Sequence, residues 1–157
     1  MFTKFGTDSR AVVHEAREIA RGLESPTVEA EHLLLAVAGE PGTSAHAVLV
    51  GAGLGFDRIH DALEAEFEAS LSAVGISLAD FDLRGTAAAA RVPRWGTSAK
   101  LALQRAARIA DARRDRRLVP GHILLGVLRA PAGTVPRALD RAGVDREELS
   151  LQVAAAL

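Results

Sequence analysis

Few residues in this chain are of a type and spacing that could do chemistry, and most of them come in pairs. His32 and His122 stand ninety residues apart, each leading into an apolar run, His32-Leu33-Leu34-Leu35 and His122-Ile123-Leu124-Leu125. An imidazole can act as a general base or a metal ligand, but a catalytic pair has no use for two separated copies. The plainer role is a structural hydrogen bond at the start of a buried helix. The residue before each histidine breaks the pairing, being Glu31 in one copy and Gly121 in the other. Glu31 reads in two ways: as an acid favoured by the positive end of a helix dipole, or as a ligand-binding carboxylate. Arg105, Arg108, Arg113, Arg114, Arg116 and Arg117 concentrate positive charge in one stretch. They suit a solvated helix face running into a loop, or a site for an anion or acidic partner that the guanidinium fork would grip.

Other chemistry is thinly represented. The chain has no cysteine, which removes disulfides, thiolates and thiol nucleophiles. It has no G-x-x-x-x-G-K-[ST] phosphate loop and no G-x-S-x-G elbow. Gly51-Ala52-Gly53-Leu54-Gly55 follows a helical pattern rather than a strand, so it reads as a helix stop and not a dinucleotide fingerprint. Glu31-His32 lacks the second histidine of a zinc-binding helix, and His14, His46 and His60 share no ligand spacing. No catalytic residue, metal or cofactor is expected, and the chain is not read as an enzyme. A net charge of −1 argues against general affinity for a nucleic-acid backbone. With no apolar run of about 18 residues and no signal-peptide pattern, a soluble cytoplasmic protein without a membrane partner is expected.

The paired residues must be positioned by something repeated. Phe5-Gly6-Thr7 recurs as Trp95-Gly96-Thr97, Ala16, Ile19 and Ala20 as Ala106, Ile109 and Ala110, and Leu49, Ala52 and Gly53 as Leu139, Ala142 and Gly143. One offset relates all of them, which identifies a tandem duplication. The first copy spans about residues 1–70, an unrepeated insert about 71–93, and the second copy about 94–157. Each copy reads as four helices. The first follows an N-cap at Thr7 or Asp8 (Thr97 or Ser98 opens it in copy two), and Ser25-Pro26 ends it in copy one. The second, capped by Thr27 or opened by Pro120, is apolar nearly all round. Thr43 or Ser44 caps the third in copy one and Thr134 in copy two; a fourth starts near Asp57, with Ile59, Leu63 and Phe67 inward, or with an Asp145–Glu148 capping box. Neither copy could bury its leucine-rich second helix alone. The expectation is an all-α fold of about eight helices whose halves pack face to face about a pseudo-twofold axis.

At Glu31-His32-Leu33-Leu34-Leu35-Ala36-Val37 and Gly121-His122-Ile123-Leu124-Leu125-Gly126-Val127 the chain resembles the N-terminal domain of Clp/Hsp100 ATPases, above all the ClpC and ClpA type. That family carries T-E-H-[IL]-L-L-[GA]-[LVI] in each of two four-helix repeats and opens each with F-[ST]-x-x-A-[RK]. Here the openings read Phe5-Gly6-Thr7-Asp8-Ser9-Arg10 and Trp95-Gly96-Thr97-Ser98-Ala99-Lys100, after a Met1-Phe2-Thr3-Lys4-Phe5 start like the family's M-F-x-x-F. The resemblance implies a mobile recognition module that captures protein substrates and adaptors for a Clp ATPase and its protease. Some ClpC-type members recognise phosphoarginine, with the glutamate before each histidine holding the guanidinium; cyclic peptides are another ligand class implied. Carried over, Glu31 matches the first such glutamate, whereas Gly121 has no side chain to match the second. Thr7 and Thr97 match threonines at helix starts where free N–H groups could meet a phosphate. Phe2 and Phe5 match apolar positions near the family's peptide surface, and Lys100 closes the second opening motif.

The chain ends at Leu157 as the second repeat closes. It is therefore expected to be either a piece of a Clp ATPase or a free-standing N-domain-like protein competing for the same ligands. A different reading makes it a nucleic-acid-binding regulator using the Arg105–Arg117 stretch.

Overall fold

A computed structural model of the chain describes residues 4–75 and 91–157. Phe2 and most of the 71–93 insert lie outside the described residues. Within them are eight α-helices: α1 (Thr7–Gly22), α2 (Ala30–Ala38), α3 (Ser44–Gly51), α4 (Phe56–Ala73), α5 (Thr97–Arg113), α6 (Pro120–Leu128), α7 (Thr134–Arg141) and α8 (Arg146–Ala155). The first four repeat as the second four, as the ninety-residue offset predicts.

The two leucine-rich helices form the centre. Every residue from His32 to Ala38 and from Pro120 to Leu128 is buried, and α2 packs on α6. Complete burial of each such leucine or isoleucine is worth about 1.5–3 kcal/mol, so α2 and α6, packed on each other and under α1 and α5, carry much of the apolar drive. On one side α1 covers α2 through Val12, Ala16 and Ala20; on the other α5 covers α6 through Ala99, Ala102, Ala106 and Ala110. The second pair is the closer. A Cβ on Gly126 would stand 2.2 Å from the Ala102 carbonyl oxygen, so only glycine permits this approach. Its first-repeat counterpart is Ala36.

The halves are also stitched by backbone. Strands β1 (Thr27–Val28) and β2 (Arg94–Trp95) run parallel, with Val28 opposite Trp95. An isolated parallel bridge joins Phe5 to Leu118. These are the same contact twice, since Phe5 corresponds to Trp95 and Val28 to Leu118. The Gly6 N–H donates to the Leu118 carbonyl at 3.0 Å, and the Gly96 N–H to that of Val28 at 2.9 Å. Each repeat therefore offers the entry to its second helix to the entry of the other repeat's first. Arg17 adds a cross-repeat contact, its guanidinium carbon lying 5.4 Å from the Trp95 ring centroid.

Several local expectations are corrected. Thr27 sits in β1 rather than capping α2, whose N-cap is Glu29. Gly6, Gly96 and Gly133 hold the N-cap positions of α1, α5 and α7, with Thr7, Thr97 and Thr134 as first helical residues. Helix α1 ends at Gly22, before Ser25-Pro26, where Glu24 takes a positive φ of 57°. Thr43 does cap α3, its Oγ1 accepting the His46 N–H at 3.1 Å, and Asp145 accepts the Glu148 N–H at 3.1 Å. Along α4, Ile59 is buried, but Phe67 is 51% exposed while its neighbour Glu66 is only 1% exposed.

Candidate functional site

The two histidines have a scaffold role. His32 Nδ1 accepts the Glu29 N–H at 2.8 Å, and His122 Nδ1 accepts the Val119 N–H at 2.9 Å. Each thus satisfies a backbone donor that a helix start leaves unpaired. With Nδ1 accepting, the proton of neutral His122 lies on Nε2 and is donated to Asp115 Oδ2 at 2.8 Å. That bond, with a second from Arg113 Nε at 2.9 Å, holds the Asp115 carboxyl below its usual range. Ser25 stands where an Asp115 equivalent would be. Burial pushes the His32 imidazole down, favouring its neutral form.

The helix entries around these histidines are unequal. Glu29 turns its carboxylate across the repeat boundary to the start of α5, where Oε2 accepts the Ser98 backbone N–H at 3.2 Å and the Ser98 hydroxyl. The Ser98 Oγ in turn accepts the Ala30 N–H at 2.8 Å. A Cβ on Gly96 would collide with the Glu29 carboxylate, so that glycine makes room for it. The free N–H groups of α5 are thus met by an anion from within the chain, a favourable placement at the positive end of the helix. In the other half Glu29 becomes Val119, Ser98 becomes Asp8, and Ala30 becomes Pro120, which has no N–H to satisfy.

Beside this junction lies a cleft of about 380 Å³, lined by Glu29, Ala30, Glu31, Ser98, Leu101, Arg105 and residues 130–136. Glu31 is half-buried, its own backbone N–H lies beside its carboxylate, and among the described residues no other side chain pairs with it. Burial raises its pKa above the ordinary value, the Glu29 charge adds to the rise, and the bond to its own N–H offsets part of it. Leu101, 45% exposed, forms one wall, and Pro131, Val135 and Pro136 form the other. Arg105 donates its Nε to the Gly126 carbonyl at 2.7 Å. Helix α7 opens onto the cleft with Gly133 as its N-cap and no side-chain cap, where α3 has Thr43.

At the matching position of the second repeat the space is taken. A Cβ on Gly121 would lie 2.6 Å from Leu157 Cδ2 and 3.8 Å from Val153 Cγ1. Gly121 therefore does more than omit a carboxylate: the Leu157 side chain covers it.

The residues singled out from sequence divide between these two ends. Glu31 shares its end with the first turn of α5, where Thr97 and Lys100 are exposed. Thr7, exposed at the start of α1, belongs to the opposite end, with Leu118 and Gly121. Phe5 is 5% exposed and packs into the core, and Phe2 lies outside the described residues. Glu29 and Ser98 are not visible as a pair in sequence; the signal that could have found them is their unlike repeat partners, Val119 and Asp8. The arginine stretch does not act as one unit, because Arg105 is tied to Gly126 and Arg113 to Asp115. On the surface of α4 the ligand atoms of His60, Asp61 and Glu64 come within 4.8 Å of one another, an exposed cluster of a kind common without a metal.

A second buried acid lies away from the cleft. Glu66 of α4 accepts the Nε of Arg137 and of Arg141, both at 2.7 Å, and the Ser70 hydroxyl at 2.7 Å. Burial alone would raise its pKa, but these bonds and the Arg137 charge bring it down to about 2. Both arginines stand on α7, so the clamp joins the repeats.

The family model for the Clp repeat (R) N-terminal domain matches residues 4–92 and 94–157. The chain belongs to the Clp N-terminal domain family. Solved Clp N-domains share its fold. That of the chaperone ClpD from Arabidopsis thaliana is 17% identical, with a TM-score of 0.71 over 99% of this chain and 95% of that one. The Hsp104 N-terminal domain from Candida albicans is 17% identical, with a TM-score of 0.65 over 96% and 89%. A chain from structural work on a malarial protein secretion system is 12% identical, with a TM-score of 0.66 over 97% and 93%. At these identities the likeness speaks for the fold alone. No curated protein sequence matches the chain significantly. Among the described residues no helix is long and apolar enough to cross a membrane.

Proposed function

We propose that this Clp N-domain is a non-enzymatic protein- and peptide-recognition module of the Clp protease–chaperone system, taking substrates or adaptors in the cleft beside Glu31. The observation that carries the reading is the state of Glu31, a half-buried carboxylate in an apolar-walled cleft with no side-chain partner among the described residues. A buried charge left unpaired costs stability, and an acid whose pKa is raised in a cleft marks a place where a ligand can compensate it. A guanidinium or ammonium on Glu31, with apolar neighbours against Leu101, Pro131 and Pro136, would do so.

A phosphoarginine-like ligand fits with one change from the family pattern. The start of α5, where Thr97 would offer its N–H groups to a phosphate, already holds Glu29. The phosphate would instead face Arg105 and the uncapped start of α7 on the opposite wall. Thr97 and Lys100 share the first turn of α5 with Ser98, which lines the cleft, and would flank its mouth, whereas Thr7 and Phe5 belong to the covered end. The apolar walls suit a cyclic peptide as well. A free-standing copy of this domain would compete with a Clp ATPase's own N-domain for such ligands. Calorimetry with phosphoarginine and with an arginine-containing peptide tests the reading. Binding that survives Glu31→Ala undiminished removes Glu31 from the site, and absence of binding to either ligand removes the site.

A further inference from the structure

On the far side of the second repeat a shallow groove of about 280 Å³ is lined by Arg108, Ile109, Ala112, Arg113, Leu125, Arg129 and Ala154. Its floor is apolar: Leu125 is fully buried beneath it and Ile109 half-buried. Arg108 and Arg129 are exposed, and among the described residues neither has a side-chain partner. Arg113 at one end is already engaged by Asp115. No acidic residue lines the groove.

The repeat makes the charge informative. At the equivalent place in the first repeat stand Glu18, Ile19, Gly22, Leu23, Leu35, Gly39 and Glu64. The apolar floor persists as Ile19 and Leu35, whereas Arg108 and Ala154 are replaced by acids and Arg129 by glycine. The scaffold therefore does not demand arginine at these points. Two free arginines beside an apolar floor are a property of this face alone.

We propose that this groove docks an acidic amphipathic segment of a partner protein, its carboxylates on Arg108 and Arg129 and an apolar side chain on Ile109, Ala112 and Ala154. Arginine's planar fork matches a carboxylate in two parallel hydrogen bonds, and its weak hydration lets it serve at an interface. Nucleic acid fits less well, because the lining offers no aromatic platform for a base. A second copy of this chain fits less well too, since Glu18, the acid standing where Arg108 stands, already has Arg21 at 3.6 Å.

The test is fluorescence anisotropy of the whole chain with a labelled synthetic peptide of glutamates and leucines at helical spacing. Saturable binding is expected, weakened about tenfold or more by Arg108→Glu with Arg129→Glu, as for loss of interfacial charge pairs. The control variant Arg10→Glu with Arg58→Glu, equal in charge change but elsewhere, should bind as the unaltered chain does. A glutamate-only peptide should bind more weakly. Circular dichroism verifies that both variants fold. The proposal is overturned by no binding at low salt, by equal losses in the two double variants, or by equal affinity for the leucine-free peptide. It is also overturned if Arg108 and Arg129 instead mediate binding of duplex DNA or self-association in sedimentation.

Discussion

Glu29 of the first repeat caps the first helix of the second: its carboxylate takes the backbone N–H and the hydroxyl of Ser98. The contact joins residues with nothing alike at the other end of the molecule, where Val119 and Asp8 occupy the matching positions. A duplicated scaffold thus has one helix start filled from within and, beside it, a half-buried acid, Glu31, with no side-chain partner among the described residues.

Removing that cap has two consequences. Glu29→Ala should cost about 1–2 kcal/mol in chemical denaturation, since it strips the α5 start of its acceptor. It should also create an anion site: phosphate titrated into the variant should shift the Ser98 and Ala99 amide resonances, while the unaltered chain shows no such shift.

The Glu66 clamp predicts an asymmetry between its partners. Glu66→Ala leaves Arg137 and Arg141, both more than half exposed, free to regain water, and should cost about 1–3 kcal/mol. Arg137→Ala with Arg141→Ala strands a buried carboxylate and should cost more, about 3–5 kcal/mol, unless Glu66 takes up a proton. The pH dependence follows in sign. Glu66 has its pKa depressed from 4.5 to about 2, so its contribution is complete above about pH 4.5 and is lost as pH falls towards 2. In melting experiments Glu66→Gln should flatten the acid limb of stability over that window.

Glu31 has the opposite sign. Burial raises its folded-state pKa, so the fold favours the neutral acid, and stability falls as pH rises through its titration. Glu31→Gln should therefore melt at or above the temperature of the unaltered chain at pH 7 while losing ligand binding. A lower melting temperature would indicate a structural role for the carboxylate.

Two glycines of α6 should respond very differently to alanine. At Gly126 the new methyl meets the Ala102 carbonyl oxygen at 2.2 Å, and backbone cannot step aside. The expected loss is about 3 kcal/mol or more, from forced separation of α5 and α6. At Gly121 the obstacle is the far end of the flexible Leu157 side chain, and the loss should be under about 1 kcal/mol. Gly121→Glu should become better tolerated when Leu157→Ala accompanies it, read as a rise in melting temperature of the double over the single variant.

What was legible in sequence follows from what repeats preserve. His32 and His122, the leucines after them and the alanines of α1 and α5 recur at one offset because both halves use them for the same packing, so the eight helices and central α2–α6 contact could be read from spacing. The cross-repeat strands could not, since a two-residue strand such as Thr27–Val28 has no period to detect. Phe67 was placed inward because a helical stripe ranks Phe as inward by polarity; its neighbour Glu66, which carried no signal in sequence, is buried instead because two arginines on α7, seventy-odd residues away, meet it. The covering of Gly121 by Leu157 and the filling of the α5 start by Glu29 depend on tertiary proximity, which leaves no trace in local pattern. Glu31 was legible only as a broken pair; that no side chain among the described residues pairs with it came from the fold.

The one-sided site is tested most directly by mapping phosphoarginine onto the chain with amide-resolved NMR. The account predicts shifts clustered at Glu31, Leu101, Arg105 and residues 130–135, absent from Val119 to His122, and abolished by Glu31→Gln. Shifts of similar size at both ends of the molecule, or a response centred on Thr7 and Gly121, would contradict it.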